Sequence, residues 1–304
     1  MMSRRSVSII IPHKNALEDL GLCLDSIPVQ EGVQILVVDD DSDPESVDFD
    51  QFPGSERPDV EIVLTKEGRG AGYARNVGLS RAKGEWILFA DADDVFDPEG
   101  LRWILEADIP GGYEVVLLPY RFYRHDGSYY VYPSPQEEME AQSGEWRVCD
   151  QPNILCRKAV MPWAKMVRRG LLERNHIVFE EVKWGNDVLF ATALSLEVST
   201  FLIAPRLVYI HRWNPNSLVN GDPGDAMLFN RAKCSLRRAK MLQQAGRLDY
   251  NIFSDGWYTK LYASRSRYAV SIVFRTFLTL GMNDSFRKLM AYLRSRKHPL
   301  PSQT

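Results

Sequence analysis

The chain has 304 residues, of which 45% are hydrophobic and 25% charged, with a formal net charge of −3. That balance fits a soluble globular protein with one large domain or two modest ones and excludes disordered and fibrous classes; no run of about 18 apolar residues offers a membrane span. After residue 230, 15 Lys and Arg face 3 acids, leaving 22 against 37 before it, and the acidic body argues against a nucleic-acid partner.

The start, MMSRRSVSIIIPHKN, is basic and then apolar like a secretion signal, but its apolar run is short, lacks small residues for cleavage and meets Pro12, so it reads as the first core strand of a cytoplasmic protein. Strand Val7 to Ile11 is followed by Leu17, Leu20, Leu24 and Ile27 at helical spacing. Gln34 to Val38 is a second buried strand, ending in Asp39, Asp40, Asp41, Ser42 and Asp43. Val60 to Leu64 is a third. Arg69 to Asp97 then runs from a glycine-rich turn (Gly70, Gly72) through a helix over Tyr73 to Ala82, with Gly84 placed to end it, into the apolar strand Trp86 to Ala90 and the carboxylates Asp91, Asp93 and Asp94.

Asp97-Pro98-Glu99 starts the next helix, and Glu114 to Leu118 is a further strand. These alternating units predict an α/β fold with a doubly wound, mostly parallel sheet. Tyr120 onward looks like a hairpin turning at Asp126-Gly127, followed by a loop, PSPQEEMEAQSGEW, of the kind that contacts a variable substrate. Lys165 to Arg174 reads as a helix, Ile177 to Phe179 as a short strand, Asn186 to Leu196 as a helix, Val198 to Ile203 and Leu207 to His211 as short strands, and the chain from Ala226 as helical, basic and aromatic. Cys23, Cys149, Cys156 and Cys234 have no CxxC pairing, so they read as buried small apolar groups rather than a zinc site or disulfide framework.

Two acidic clusters, each directly after an all-apolar strand, mark one ligand-binding edge of an open sheet, because crowded carboxylates are costly unless a cation or donors compensate. The obvious cation is a divalent metal. An EF-hand loop from Asp91 is ruled out, since Phe96 stands where its Gly belongs and Arg102 where its Glu belongs. Neither a GxGxxG turn after the first strand nor a GxxxxGK[ST] loop is present.

Four blocks, VSIIIPHKN at 7–15, ILVVDDDSDPES at 35–46, the stretch at 69–97 and FEEVKWGNDVLF at 179–190, resemble the family 2 glycosyltransferases of the GT-A fold, over roughly residues 6–220. The resemblance implies a GT-A catalytic domain over 1–225, with 1–118 binding the nucleotide-sugar and 119–225 the acceptor, and a basic helical extension over 226–304. It implies a donor pocket at Pro12, His13, Asn15 and Asp40, with Arg75 near the base or diphosphate. Asp91 and Asp93, flanking Ala92, are similar to the family's D-x-D motif, which holds Mn²⁺ or Mg²⁺ on the diphosphate, with Asp94 beside it facing the sugar. His211 is a further candidate metal ligand. Asp187 resembles the catalytic base. Asn186 stands where the family's Glu is usual, and His13 where Tyr is commoner.

The expected activity is inverting, metal-dependent transfer of a sugar, from a UDP-sugar donor, to a hydroxyl of a glycan or lipid-linked glycan, in bacterial-type polysaccharide synthesis. The alternatives are a sugar-1-phosphate nucleotidyltransferase, which normally has a basic glycine-rich loop where this chain reads PHKNALEDL, and a non-catalytic nucleotide- or glycan-binding relative. For Asp187 a helix cap is the competing role. Trp163 and Trp184 fit either sugar stacking or the core, and Lys165 and Arg212 either the diphosphate or solvent. Tyr268 to Met282, apolar among Arg and Lys, fits a helix on an anionic membrane surface at the inner face of the cell membrane or one packed on protein.

Overall fold

A computed structural model describes residues 6–123, 129–130, 145–214, 224–247, 251–264 and 267–297. The chain divides into two compact units, residues 1–217 and 218–304.

In the first unit β1 (Val7–His13), β2 (Val33–Asp39), β3 (Val60–Leu64) and β4 (Trp86–Phe89) lie parallel in the order β3-β2-β1-β4. Val7, Ile9, Ile10 and Ile11 are wholly buried, as are Trp86 through Phe89, which is why neither strand alternates polar with apolar. β1 runs on through Pro12 because its pairing with β4 stops at Ile10↔Phe89. There the missing N–H disrupts no doubly paired stretch of sheet.

Helix α1 (Leu17–Asp25) buries Leu20, Cys23 and Leu24, and α2 (Ala71–Arg81) joins β3 to β4. After β5 (Val95–Phe96), Asp97 caps α3 (Pro98–Glu106) by accepting from Gly100 N at 2.7 Å, as the Asp-Pro signal predicts. β6 (Val115–Leu117), β7 (Tyr120–Tyr123) and β8 (Tyr129–Tyr130) follow. β7 and β8 pair antiparallel as the expected hairpin; its turn at Asp126-Gly127, and most of the loop after it, lie outside the described residues.

β9 (Arg147–Cys149), α4 (Asn153–Arg157), β10 (Lys165–Arg168), α5 (Arg169–Arg174), α6 (Asn186–Glu197), β11 (Phe201–Ile203) and β12 (Tyr209–Arg212) complete the unit. The large sheet continues β4-β10-β6-β11-β9, with β10 antiparallel to both neighbours and β9 antiparallel to β11. A smaller sheet runs β5-β12-β7-β8.

Three sequence readings change. The helix expected over Lys165–Arg174 is a strand followed by a short helix: Met166 and Val167 are fully buried between β4 and β6, an environment that overrides helical spacing. Ile177–Phe179 is not a strand; the Asn76 side chain accepts from Phe179 N at 2.8 Å and donates to Phe179 O at 2.9 Å, standing in for a neighbouring strand. Gly84 does not end α2, which stops at Arg81; a Cβ there would lie 2.4 Å from Ser8 N and 2.7 Å from Val7 C, so glycine is required by the approach of β1.

The second unit is helical, as expected: α7 (Asp225–Gln244), α8 (Gly256–Ala263), α9 (Arg267–Leu280) and α10 (Met282–Lys297). Asp255 caps α8 through Trp257 N and Tyr258 N, and its other oxygen takes Arg238 Nη2 at 2.8 Å and Ser235 Oγ at 3.0 Å, tying α7 to α8. The thiols of Cys23, Cys149, Cys156 and Cys234 are all free, and all but Cys149 are buried.

Gly84→Ala forces backbone to move and is expected to lower unfolding stability by about 1–3 kcal/mol, read as a lower urea midpoint with an unchanged slope.

Candidate functional site

The two acidic strand ends differ. At the end of β2, Asp39 is buried and accepts from Ser42 N at 3.0 Å, Ser42 Oγ and the His13 ring. Burial works against its charge, but the hydrogen bonds from His13 and Ser42 prevail and hold its pKa below the usual carboxylate value. His13 Nε2 accepts from Ala16 N at 3.1 Å, so the proton is on Nδ1, 2.7 Å from Asp39. The imidazole is therefore neutral, with both nitrogens occupied and its edge against Phe52. From position 13 a ligand meets backbone, not the ring.

Asn15 is exposed at φ +54°, its N–H on Ser42 Oγ and its Oδ1 on Asp43 N at 2.8 Å each. Asp40 is buried and accepts from Gly70 N, Arg69 N at 3.1 Å and Thr65 Oγ1 at 3.3 Å. It folds the glycine-rich turn, where Gly70 has φ +93°, and leads into α2. N–H and O–H donors compensate this cluster.

The second cluster lies after β4. Asp94 is wholly buried and accepts from Tyr209 Oη at 2.7 Å, His211 Nδ1 at 2.9 Å and Arg212 N at 2.8 Å, all from β12. Burial pushes its carboxyl up to about 6 despite the His211 hydrogen bond. Burial pulls the other way on His211, but its hydrogen bond to Asp94 and the charges of Asp94, Asp91 and Asp93 raise its pKa above the ordinary 6.5. Tyr209 Oη also accepts from Asp91 N at 3.0 Å, so one hydroxyl holds both ends of the turn. Trp163 stacks on Tyr209 at 4.9 Å and on His211 at 5.3 Å, and is 5% exposed. Of its two expected roles it fills the core one, backing the cluster. Trp184 is half-buried with Lys183 Nζ 4.9 Å from its ring centroid.

Asp93, beside the 8%-exposed Ala92, takes Asn214 Nδ2 at 3.2 Å. Burial and then repulsion from Asp91 raise its pKa, which the Asn214 hydrogen bond only offsets. Among the described residues no three His, Cys, Asp or Glu side chains converge as a complete metal cage. The pair Asp91 and Asp93 nonetheless fits a hard divalent ion as a partial ligand set: both offer carboxylate oxygens, and repulsion from Asp91 adds to burial in raising the proton affinity of Asp93. His211 Nδ1 is committed to Asp94, so a ligand could be met only by Nε2.

Arg75 joins this cluster to the second half of the unit. It is 5% exposed, donates from Nη2 to Asp91 at 2.6 Å and from Nη1 to Asn186 Oδ1 at 3.0 Å, and lies 5.3 Å from the Phe179 ring centroid. Gly72 permits the contact, because a Cβ there would come 2.1 Å from Glu180 O. Asn186 opens α6, whose first turn carries Asp187, half-buried. The sequence reading thus has Arg75, Asp91, Asp93, Asp94 and His211 in one constellation with Asp187 on the adjoining helix, while Asp40 and His13 build the turns beside it.

Sequence reasoning missed Tyr209 and Asn214, and left Lys165 and Arg212 between diphosphate and solvent. Tyr209 was legible: in a strand it shares a face with His211, two residues on. Lys165 is 1% exposed and so is not solvated, and Arg212 Nη1 meets Asp19 at 3.0 Å.

Residues 8–162 match the family described as Glycosyl transferase family 2. The chain is 26% identical to glycosyltransferase GlyG of Streptococcus pneumoniae serotype 4 over 219 residues, covering 67% of this chain and 68% of that protein. It is 27% identical to the uncharacterized glycosyltransferase EpsJ of Bacillus subtilis over 228 residues, covering 70% of this chain and 62% of EpsJ. Among solved structures, S. aureus TarS 1–349 superposes with TM-score 0.64 at 18% identity over 92% of this chain and 82% of TarS 1–349; its complex with UDP-GlcNAc gives 0.65 at the same identity and coverage.

His211 binds its proton more tightly folded than unfolded, so its contribution to stability is complete below pH 6.5 and is lost as pH rises through its raised pKa. In EDTA, His211→Asn is expected to flatten the fall in urea midpoint that the unmodified protein shows above pH 6.5.

Proposed function

We propose, from the premise that the chain belongs to glycosyl transferase family 2, that this glycosyltransferase moves a sugar from a UDP-sugar to a hydroxyl of a glycan or lipid-linked glycan with inversion at the anomeric carbon. One observation carries the reading: Arg75 spans from Asp91, in the acidic turn after β4, to Asn186, the residue before Asp187. A site for a charged leaving group and a site for a base are thereby held on one edge of one sheet. The UDP-GlcNAc complex of the TarS fold-neighbour supports UDP as the nucleotide.

In this reading Pro12, His13 and Asn15 offer the backbone and polar edge of the nucleoside pocket, and Asp40 keeps the adjoining glycine turn in shape. Asp91 and Asp93, with His211 Nε2 as a further ligand, would hold Mn²⁺ or Mg²⁺, and the ion would supply charge neutralisation for the departing diphosphate. Arg75 fixes Asp91 and offsets its charge. Asp94, satisfied by three donors, holds the turn rigid, with Ala92 the small residue between the ligands. Asp187 takes the proton of the acceptor hydroxyl as that oxygen bonds to the anomeric carbon and the bond to the donor phosphate breaks. A base acting from the face opposite the leaving group makes this a single displacement, which is what inversion requires.

Thermal shift with UDP and UDP-sugars, with and without Mn²⁺ or Mg²⁺, tests this reading. Stabilisation that needs both nucleotide and metal and is lost in Asp93→Asn is expected, with Asp187→Asn keeping that response and losing about 10²–10⁴-fold in acceptor-dependent UDP release. A response indifferent to metal would sink the role given to Asp93.

For the acceptor side we infer peripheral attachment to an anionic membrane through the second unit. No helix among the described residues is long and apolar enough to cross a membrane. Yet α9 carries apolar side chains on two sides: Ala269, Ile272 and Leu280 are buried, while Val270, Phe274 and Leu278 are exposed; beyond Gly281, whose φ is +86°, Met282 and Phe286 are exposed on α10. Arg267, Arg275 and Arg287 are exposed as well. Apolar wedges flanked by cations suit an anionic lipid surface. Flotation should recover the protein with vesicles containing phosphatidylglycerol, less with phosphatidylcholine alone, and at least about tenfold less after Phe274→Ser with Phe286→Ser; equal recovery in all three cases refutes the attachment.

A further inference from the structure

Tyr209 is a wholly buried side chain beside the acidic turn to which the proposed reaction gives no part. Its ring is fixed from two sides: Trp163 lies flat against it at 4.9 Å and 8°, and Phe96 meets it edge-on at 5.2 Å and 89°. A ring so confined settles where its hydroxyl sits. There Oη accepts from Asp91 N at 3.0 Å and meets Asp94 Oδ2 at 2.7 Å. An amide N–H can only donate, so the hydroxyl's one proton goes to the carboxylate.

Each of those two bonds leads to a residue placed above as a metal ligand. Asp91 is held at its main chain by Tyr209 and at Oδ1 by Arg75 Nη2, 2.6 Å away, which leaves Oδ2 to face a cation. His211 meets Asp94 through Nδ1 at 2.9 Å. A histidine that ligates a metal usually gives its other ring N–H to a carboxylate, which sets its tautomer and ring plane. Asp94 fills that place for His211 and takes the Tyr209 proton at the same time. The two rings stand two residues apart on β12, hence on one face, and His211 stacks on the same Trp163 at 5.3 Å and 11°. The ring contacts of Tyr209 are available to phenylalanine as well, and Asp94 has two further donors in His211 and Arg212 N. What the hydroxyl adds is the link between Asp91 and Asp94.

We infer that Tyr209 is the positioning residue for two of the three proposed metal ligands: for Asp91 directly, through its amide, and for His211 through Asp94. The inference rests on the metal site proposed above and adds the group that sets the spacing of its ligands. The clamp is closed without any ion, so the ligands stand in place before metal and nucleotide arrive. A site ordered in advance loses less freedom on binding, and that difference appears as affinity.

Tyr209→Phe keeps the ring and its stacking and removes only Oη. Titration of Mn²⁺ in the presence of UDP, followed by the electron paramagnetic resonance of the free ion against a UDP blank, reads affinity without turnover. Tyr209→Phe is expected to raise the Mn²⁺ Kd about 10–100-fold. In a cycle with His211→Asn, the double variant is expected to bind Mn²⁺ more tightly than the product of the two single effects predicts. With the imidazole gone, the route through Asp94 has no ligand left to hold. Should Tyr209→Phe not fold, p-aminophenylalanine at position 209 takes its place. Its NH₂ still donates to Asp94 but is a poor acceptor for Asp91 N, so part of the same affinity is expected to be lost. An unchanged Mn²⁺ Kd, even with a lower urea midpoint, overturns the inference and makes the hydroxyl a structural group alone. Single effects that simply multiply overturn the route through Asp94. An unmodified protein that binds no Mn²⁺ with UDP overturns the proposed metal site, and this inference with it.

Discussion

The bridge from Asp91 through Arg75 to Asn186 is the constraint on which the rest of the first unit depends. A guanidinium on a residue only 5% exposed is tolerable only when its charge is answered, and here Nη1 and Nη2 are met by two segments far apart in the chain, while the buried Nε has no hydrogen-bond partner among the described residues. Removing either partner strands a charge in the protein interior, so the sequence cannot relax the connection cheaply. Everything that brings α2 close to the segment before α6 serves that bridge, from the absent Cβ of Gly72 to the two bonds between Asn76 and Phe179. Asn186 does this as a neutral acceptor, through its Oδ1. With a single carboxylate on Arg75, Asp91 keeps the greater share of the positive charge.

Two acidic strand ends that look alike in sequence have been given opposite fates by their surroundings. Asp39 and Asp40 receive donors from His13, Ser42, Thr65 and the backbone of the glycine turn, and that neighbourhood is electrically closed. Asp94 is closed as well, by β12. Asp93 has the Asn214 amide and a repelling neighbour in Asp91, and burial followed by that repulsion leaves its charge the less supported one. Counting carboxylates identifies the right edge of the sheet; only counting donors tells which carboxylates still need something.

The parallel strands and the capped helix after Asp97 were legible because their signals are local: apolar runs buried on both faces and an Asp-Pro start. The strand at Lys165–Arg168 was not, because its environment comes from β4 and β6, which lie 48 to 82 residues earlier, and its apolar residues fit a helical period equally well. Lys165 deepened the error, since a charged residue at an element's start reads as surface. Gly84 was found for a local reason, the end of a helix, when a non-local one, the approach of Ser8, decides it. For the site, the acidic residues, Arg75 and Asp187 were all readable from their blocks. Tyr209 could have been read from the strand face it shares with His211, whereas Asn214 carries no motif and acquires meaning only when the end of β12 is laid beside the acidic turn.

The antiparallel insertion of β10 between β4 and β6 has a consequence for how the protein is made. The strands β1 to β4 are complete by residue 89, but the edge of β4 has no partner until residues 165–168 exist. At ordinary synthesis rates that interval is on the order of 4–15 s, during which a fully apolar strand edge is open to wrong pairing. A fragment cut anywhere before β10 would carry the same open edge permanently. The stretch that builds the four parallel strands is thus a region of sequence without being an independent folding unit, and its ribosome-bound precursor is a natural client for chaperones.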